Sequence, residues 1–346
     1  MQAIVYEGPG KKSLASVPRP TIVEPTDAII RITKTTICGT DLHILKGDVP
    51  AVTAGRILGH EGVGVVEEVG SAVGNFKKGD RVLISCITSC GKCEFCKKQM
   101  YSHCENGGGW ILGHLINGTQ AEFVRTPFAD NSLYPIPPGA DEEALVMLSD
   151  ILPTGFEIGV LYGAVNPGDT VAIVGAGPIG MAALLTAQFF SPSRLIMIDL
   201  DTSRLEMAKR FGATELINSG EADPVKAVLE STKDGVDVAI EAVGVPQTFD
   251  VCQSIVRPGG HVANIGVHGS PVQLQIQKLW IQNITLTTGL VNTNTTPMLL
   301  KTVQSGKLQP GHLVTHRFTF DKFMDAYDVF GNAAKTKALK VVISKE

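Results

Sequence analysis

The sequence has no long apolar run, no excess of one charge and no internal repeat, and each absence removes a class of function. The most apolar stretch, Met181 to Phe190, falls short of the ~18–20 residues that a bilayer-spanning helix needs. The first residues, MQAIVYEGPGKKS, lack the basic start and apolar core of a secretory signal. The expectation is a cytoplasmic protein with no membrane partner. Net charge is −4 over 346 residues, and charged residues make up only 18%. Without a basic excess, nucleic acid is not the expected partner. Low-complexity linkers are missing as well.

What is present is a chain with 44% hydrophobic residues, enough for a large core. At roughly 100–200 residues per domain, its length predicts two domains. The first 150 residues are rich in Gly, Pro and Val, and short apolar runs sit between turn signals: DAIIRITK, EGVGVVEEVG, DRVLIS, AEFVRT. These read as short strands of a barrel or sandwich. From Asp169 the pattern becomes strand, Gly-rich turn, helix, strand, as in TVAIVGAGPIGMAALLTAQFF followed by RLIMIDLD. Such alternation predicts a parallel sheet with helices on both faces. The fold class expected is therefore α/β plus β.

Seven cysteines are present, and four of them, Cys90, Cys93, Cys96 and Cys104, fall within one short loop as C-x2-C-x2-C-x7-C. In a reducing compartment such a cluster binds metal more often than it forms disulfides. Four thiolates can close a tetrahedral shell around zinc and leave no room for water, which makes a structural site. An iron–sulfur cluster or unmetallated thiols fit the same spacing. Cys86 and Cys252, in apolar contexts, read as buried free thiols.

Residues 171–180 read VAIVGAGPIG. This G-x-G-x-x-G follows a strand and opens a helix, the setting that a dinucleotide fingerprint requires. Gly175 serves the tight turn, Gly177 the approach of a pyrophosphate, and Gly180 the close packing of helix on strand. Pro178 costs little at a helix start, where its missing N–H has no partner in any case. The next strand ends at Asp199, placed to bind ribose hydroxyls and to repel a 2′-phosphate. NAD is therefore favoured over NADP.

Cys38 in ICGTDLH and His60 in LGHEG are weak signals singly. Their order relative to the cysteine loop and the fingerprint gives them weight. With the run from Gly59 to Val66, the pattern from Val69 and the GDRV at 79–82, the whole chain resembles the zinc-dependent medium-chain alcohol dehydrogenases. The resemblance implies a GroES-like β-barrel catalytic domain over residues 1–152 and 291–346, and a Rossmann-type doubly wound NAD-binding domain over 153–290. It implies two zinc ions per chain, a structural one on the four-cysteine loop and a catalytic one on Cys38, His60 and Asp150. Asp150, in MLSDILPTG, is also readable as a helix cap. By the same resemblance Thr40 and His43 form a proton relay, Glu61 approaches the metal, and Asp41 orients the His60 imidazole. Further cofactor contacts are implied for Thr154, Ile179, Arg204, Gly266, Val267 and Lys340.

Trp110, in GGGWILGH, matches a substrate-pocket position of microbial tetrameric secondary-alcohol dehydrogenases, and alternatively is a core residue. The expected activity is hydride transfer between a small, secondary alcohol and NAD, by a homotetramer. A sorbitol- or butanediol-type polyol dehydrogenase is the enzymatic alternative, and a non-catalytic zinc-binding relative is the alternative from another class.

Overall fold

The computed structural model describes residues 1–345. The chain divides into two compact units, one formed by Met1–Pro153 with the chain from Asn292 onward, the other by Thr154–Val291. In chain order the strands are β1 (Gln2–Gly8), β2 (Lys11–Ser16), β3 (Ala28–Thr36), β4 (Gly62–Val69), β5 (Arg81–Ile84), β6 (Phe123–Thr126), β7 (Leu133–Pro135), β8 (Thr170–Val174), β9 (Arg194–Asp199), β10 (Glu215–Asn218), β11 (Val236–Glu241), β12 (Val256–Asn264), β13 (Thr285–Thr288), β14 (Val314–Thr319) and β15 (Lys340–Ser344). The helices that matter below are α1 (Gly39–Lys46), α2 (Pro178–Ala187), α3 (Thr202–Arg210) and α4 (Pro246–Ile255).

The first unit holds a hairpin, β1–β2, and a seven-stranded sheet in the order β14-β15-β3-β4-β5-β7, with β6 also pairing β3. All its pairs are antiparallel except β14 with β15. Strand β3 is the hinge of this arrangement. Its sequence AIIRITKTT is apolar and β-branched, and Ala28, Ile29, Ile30 and Ile32 are buried; such side chains suit a pleated, packed surface. One core cluster joins Ile30, Ile32, Val66, Val82, Ile84 and Val124 inside this sheet. Another gathers Ile4, Ile37, Ile44, Phe323, Tyr327, Val341 and Ile343. That second cluster fixes the start of α1 against β15, and so places the residues that follow β3.

The second unit is a six-stranded parallel sheet in the order β10-β9-β8-β11-β12-β13. Starting from β8, this is the 3-2-1-4-5-6 order of a doubly wound dinucleotide-binding sheet, whose ligands lie beyond the carboxyl ends of the strands. Its central strands are apolar along their length, TVAIV and VDVAIE, as strands covered on both sides require. No single helix among the described residues is long and apolar enough to cross a membrane.

Candidate active site and metal centres

Strand β3 runs into Ile37, and the chain then turns into α1 at Cys38. Asp41, three residues into the helix, accepts a hydrogen bond from the Cys38 backbone N–H at 2.9 Å, a side-chain closure of the helix start. The turn directs the Cys38 thiol toward two residues distant in sequence. Its Sγ is 3.5 Å from Asp150 Oδ2, and His60 Nε2 is 3.2 Å from the same oxygen. The three donor atoms all lie within 4.8 Å of one another. Zinc bonds of about 2.0–2.3 Å in a tetrahedral shell put neighbouring ligand atoms roughly 3.3–3.8 Å apart, so the spacing and the donor chemistry both fit that ion.

Electrostatics point the same way. Burial and the Asp150 charge push the Cys38 thiol up. Burial opposes a charged His60, yet its hydrogen bonds to Asp150 and Cys38 prevail and raise its pKa well above the usual range. Both shifts reflect negative groups facing one another at this spot, the kind of potential that a bound divalent cation would offset.

The Asp150 segment is held on two sides. The buried Ser149 hydroxyl accepts from Gly62 N–H at 3.1 Å and donates to the Gly62 carbonyl at 3.3 Å, and Cys86 N–H donates to the Ser149 carbonyl at 3.0 Å. Cys86 is buried and unpaired by disulfide, and its thiol reaches the other Asp150 oxygen at 3.7 Å.

Thr40 Oγ1 is 3.7 Å from Cys38 Sγ. His43, one turn further along α1, shares its face; its Nδ1 pairs with Asp48 Oδ2 at 2.8 Å. Trp110 is partly buried. Its indole meets the His60 ring edge-on at 6.2 Å between centroids and stacks on His114 at 4.3 Å.

The four-cysteine loop closes on itself. The Cys90, Cys93, Cys96 and Cys104 sulfurs also lie within 4.8 Å of one another, with Cys90 and Cys96 3.9 Å apart, the spacing that Zn–S bonds of about 2.3 Å impose. Although burial opposes it, N–H donors from Lys92, Cys93 and Asn106 bring the Cys90 thiol down to about 6, whereas burial and its sulfur neighbours push Cys96 up to about 12. Four thiolates need a cation before all can ionise together.

In the second unit the fingerprint takes the form read from its spacing. Gly175 has φ +108°, and a Cβ on Gly180 would overlap the Gly175 carbonyl oxygen. Gly177 caps the start of α2, and a Cβ there would meet nothing in the chain, which leaves its backbone open to a phosphate. Pro178 and Ile179 are the first two residues of α2. Asp199 ends β9; its Oδ2 accepts from Ala176 N–H at 2.6 Å and its Oδ1 from Asp201 N–H at 2.8 Å, tying that strand to the Gly-rich turn. Arg204 lies in the first turn of α3, half-buried. Thr154 precedes the π-helical turns Gly155–Leu161, and Gly266 and exposed Val267 follow β12.

Two expectations are corrected. Lys340 offers no exposed ammonium to a pyrophosphate. It is fully buried, and its Nζ bonds Glu61 Oε2 and the Ile37 carbonyl. Glu61 is buried too, with Thr36 Oγ1 on the same oxygen. Burial works against the Lys340 charge, but the Glu61 carboxylate outweighs it and raises the pKa. Asp41, expected on the His60 imidazole, instead receives Cys38 N–H and Gln120 Nε2 on one oxygen, and its other oxygen has no hydrogen bond. Gln120 and Thr36 carry no sequence signal of their own; only the pairing of distant strands reveals them.

Residues 24–138 match the alcohol dehydrogenase GroES-like domain, and residues 178–305 the zinc-binding dehydrogenase domain. The chain belongs to the zinc-dependent medium-chain alcohol dehydrogenases. An alcohol dehydrogenase of Cupriavidus necator is 37% identical over 99% of this chain and 98% of its own length. Zinc dependent alcohol dehydrogenase 2 from Streptococcus pneumonia, solved in an apo form, superposes with a TM-score of 0.96 at 58% identity, covering 100% of this chain and 99% of its own. The alcohol dehydrogenase TADH from Thermus sp. ATN1 does so at 0.92 and 34%, covering both chains fully. The GroES-like match lies within the first unit, and most of the zinc-binding dehydrogenase match lies on the parallel sheet of the second.

Proposed function

We propose that this alcohol dehydrogenase transfers hydride between a small secondary alcohol and NAD, using a catalytic zinc on Cys38, His60 and Asp150 and a structural zinc on Cys90, Cys93, Cys96 and Cys104. The observation that carries the reading is the meeting of a thiol, an imidazole and a carboxylate from residues 38, 60 and 150 beside the Thr40 hydroxyl. Zinc in that site supplies a Lewis acid that polarises the substrate oxygen. The chain's own groups handle the proton. Thr40 both accepts and donates through one oxygen. His43, oriented by Asp48, offers an imidazole that can both accept and donate a proton and so carry it toward solvent. Trp110 beside His60 supplies an apolar wall and favours alkyl substituents over polyols. Asp199 sits where it accepts ribose hydroxyls and repels a 2′-phosphate, with the Gly175, Gly177 and Gly180 turn on the pyrophosphate. Thr154 and Ile179 serve the nicotinamide end, and Gly266 and Val267 give backbone contacts to the cofactor.

We further assign a cytoplasmic homotetramer. What favours association is an exposed apolar group on the second unit, Ile276, Trp280, Ile281 and Leu286, at the edge strand β13; such patches mark association surfaces.

The test is a panel of alcohols with NAD and NADP, run on protein whose zinc has been counted. We expect about two zinc ions per chain, turnover of 2-propanol and 2-butanol above that of sorbitol, and NAD preferred by at least about tenfold, the discrimination that about 1.4 kcal/mol provides. Sorbitol as the better substrate would replace the reading with a polyol dehydrogenase. Metal-loaded protein with no turnover of any alcohol would make the chain a non-catalytic member.

A further inference from the structure

Three loops leave the carboxyl ends of β8, β11 and β12 in the second unit, and glycines jam them together. A Cβ on Gly175 would come within 2.5 Å of the Val243 side chain and 3.0 Å of the Ala242 carbonyl oxygen. A Cβ on Gly244 would overlap the Val267 carbonyl, and one on Gly266 would overlap both Gly244 and the Glu241 carboxylate. Glu241, the last residue of β11, is therefore at the centre of the junction.

This side chain is fully buried. Its Oε1 accepts three hydrogen bonds, from Val243 N–H at 3.0 Å, Gly244 N–H at 2.9 Å and the Thr248 hydroxyl at 2.6 Å. Its backbone carbonyl accepts from Ile265 N–H at 2.8 Å and Gly266 N–H at 3.2 Å. Its Oε2 makes no hydrogen bond and lies 3.4 Å from His268 Nε2. His268 in turn meets Asn264 Oδ1 at 2.8 Å, and Asn264 Nδ2 donates to the Gly266 carbonyl at 3.0 Å. One residue thus fixes the β11–α4 turn through its side chain and the loop after β12 through its main chain. A buried carboxylate is costly to keep, and three donors on one oxygen offset that cost only while the β11–α4 turn holds its shape.

We propose that Glu241 is a positioning residue for the cofactor: it holds the Gly244 turn and the Gly266–Val267 loop at the distance that the nicotinamide nucleotide needs, and Thr248 is its anchor on α4. The role rests on the reading of Gly266 and Val267 as cofactor contacts. It acts through backbone placement, so it governs cofactor affinity and leaves the metal and the alcohol untouched. Sites of this kind lose function when supporting groups let the contact atoms drift by ~1 Å.

The experiment measures NADH dissociation by fluorescence titration, with steady-state kinetics and zinc content, on the wild-type chain and on Glu241→Ala, Glu241→Gln and Thr248→Val. Glu241→Ala is expected to weaken NADH binding at least tenfold and to raise the KM for NAD similarly, with the KM for alcohol and the zinc content unchanged. Glu241→Gln keeps an acceptor for the three donors and should recover binding to within about threefold of wild type. Thr248→Val removes one donor at the surface of the junction and should weaken binding two- to fourfold. This smaller change provides the test if Glu241→Ala does not fold. Thr248→Val binding NADH as wild type does, or losses spread evenly over cofactor and alcohol, would overturn the proposal. A wild-type chain that binds no NADH would instead overturn the reading of the cofactor site.

Discussion

At the scale of single residues, charge decides what the first unit tolerates. Glu61 and Lys340 are both buried, and each is the other's counter-ion. Removing one partner of such a pair leaves an uncompensated charge and costs about 3–5 kcal/mol. Lys340→Met is therefore expected to lower the thermal midpoint sharply, and Glu61→Gln in the same chain to restore much of the loss. A thermal melt of the single and double variants checks this; if both substitutions simply add, the two side chains are not coupled. The same residues show where sequence reasoning stops. Cys38 and His60 were legible because each sits in a short motif and the motifs come in a fixed order. Asp150 came through the likeness of its segment. Lys340 was read as a pyrophosphate contact through family likeness alone, against the ordinary expectation that a lysine near a chain end is solvated. Nothing in its neighbours reveals that β15 enters the middle of a sheet, between β14 and β3.

At the scale of elements, the two cysteine-bearing sites differ in how they are built. The four-cysteine loop takes all its donors from Cys90 to Cys104 and is braced by local bonds such as Cys93 N–H to Cys90 Sγ at 3.4 Å. Its four thiols are brought together largely by the loop itself, which is why spacing was enough to pick out the cluster. Cys93→Ser is expected to reduce the metal content from about two ions per chain to about one and to lower the thermal midpoint, with the activity that remains coming from the other site. Metal analysis beside the melt checks this, and an unchanged count of two would show that three thiolates suffice. The Gly-rich turn was equally legible, since its glycines answer to backbone contacts within one β-α unit. The Glu241 junction was not, because it joins the ends of strands that are neighbours only in the sheet.

For the whole molecule, periodicity revealed the change from short antiparallel strands to a parallel sheet, while the return of the chain after Asn292 to the first unit was implied only by family likeness. No local pattern encodes which sheet a late strand joins, since β15, KVVIS, has the same short apolar run that any buried strand shows. The exposed Trp280 and Ile281, both 69% accessible, lie just before the sheet edge at β13. An unpaired edge with apolar neighbours is a liability unless another chain covers it. Light scattering of the wild-type chain is expected to give a tetramer, and Ile281→Glu a smaller species. A monomeric wild-type chain would remove the assignment.

The pairing of Lys340 with Glu61 spans 279 positions, and this has a consequence for how the protein is made. Cys38, His60 and Asp150 have all left the ribosome's catalytic centre once Asp150 is added, yet the counter-ion of Glu61 arrives 190 residues later. At ~5–20 residues per second that interval is about 10–40 s. During it Glu61 has no lysine, and β3 lacks its β15 neighbour. The four-cysteine loop, by contrast, takes all its thiols from Cys90 to Cys104 and depends on no residue made later.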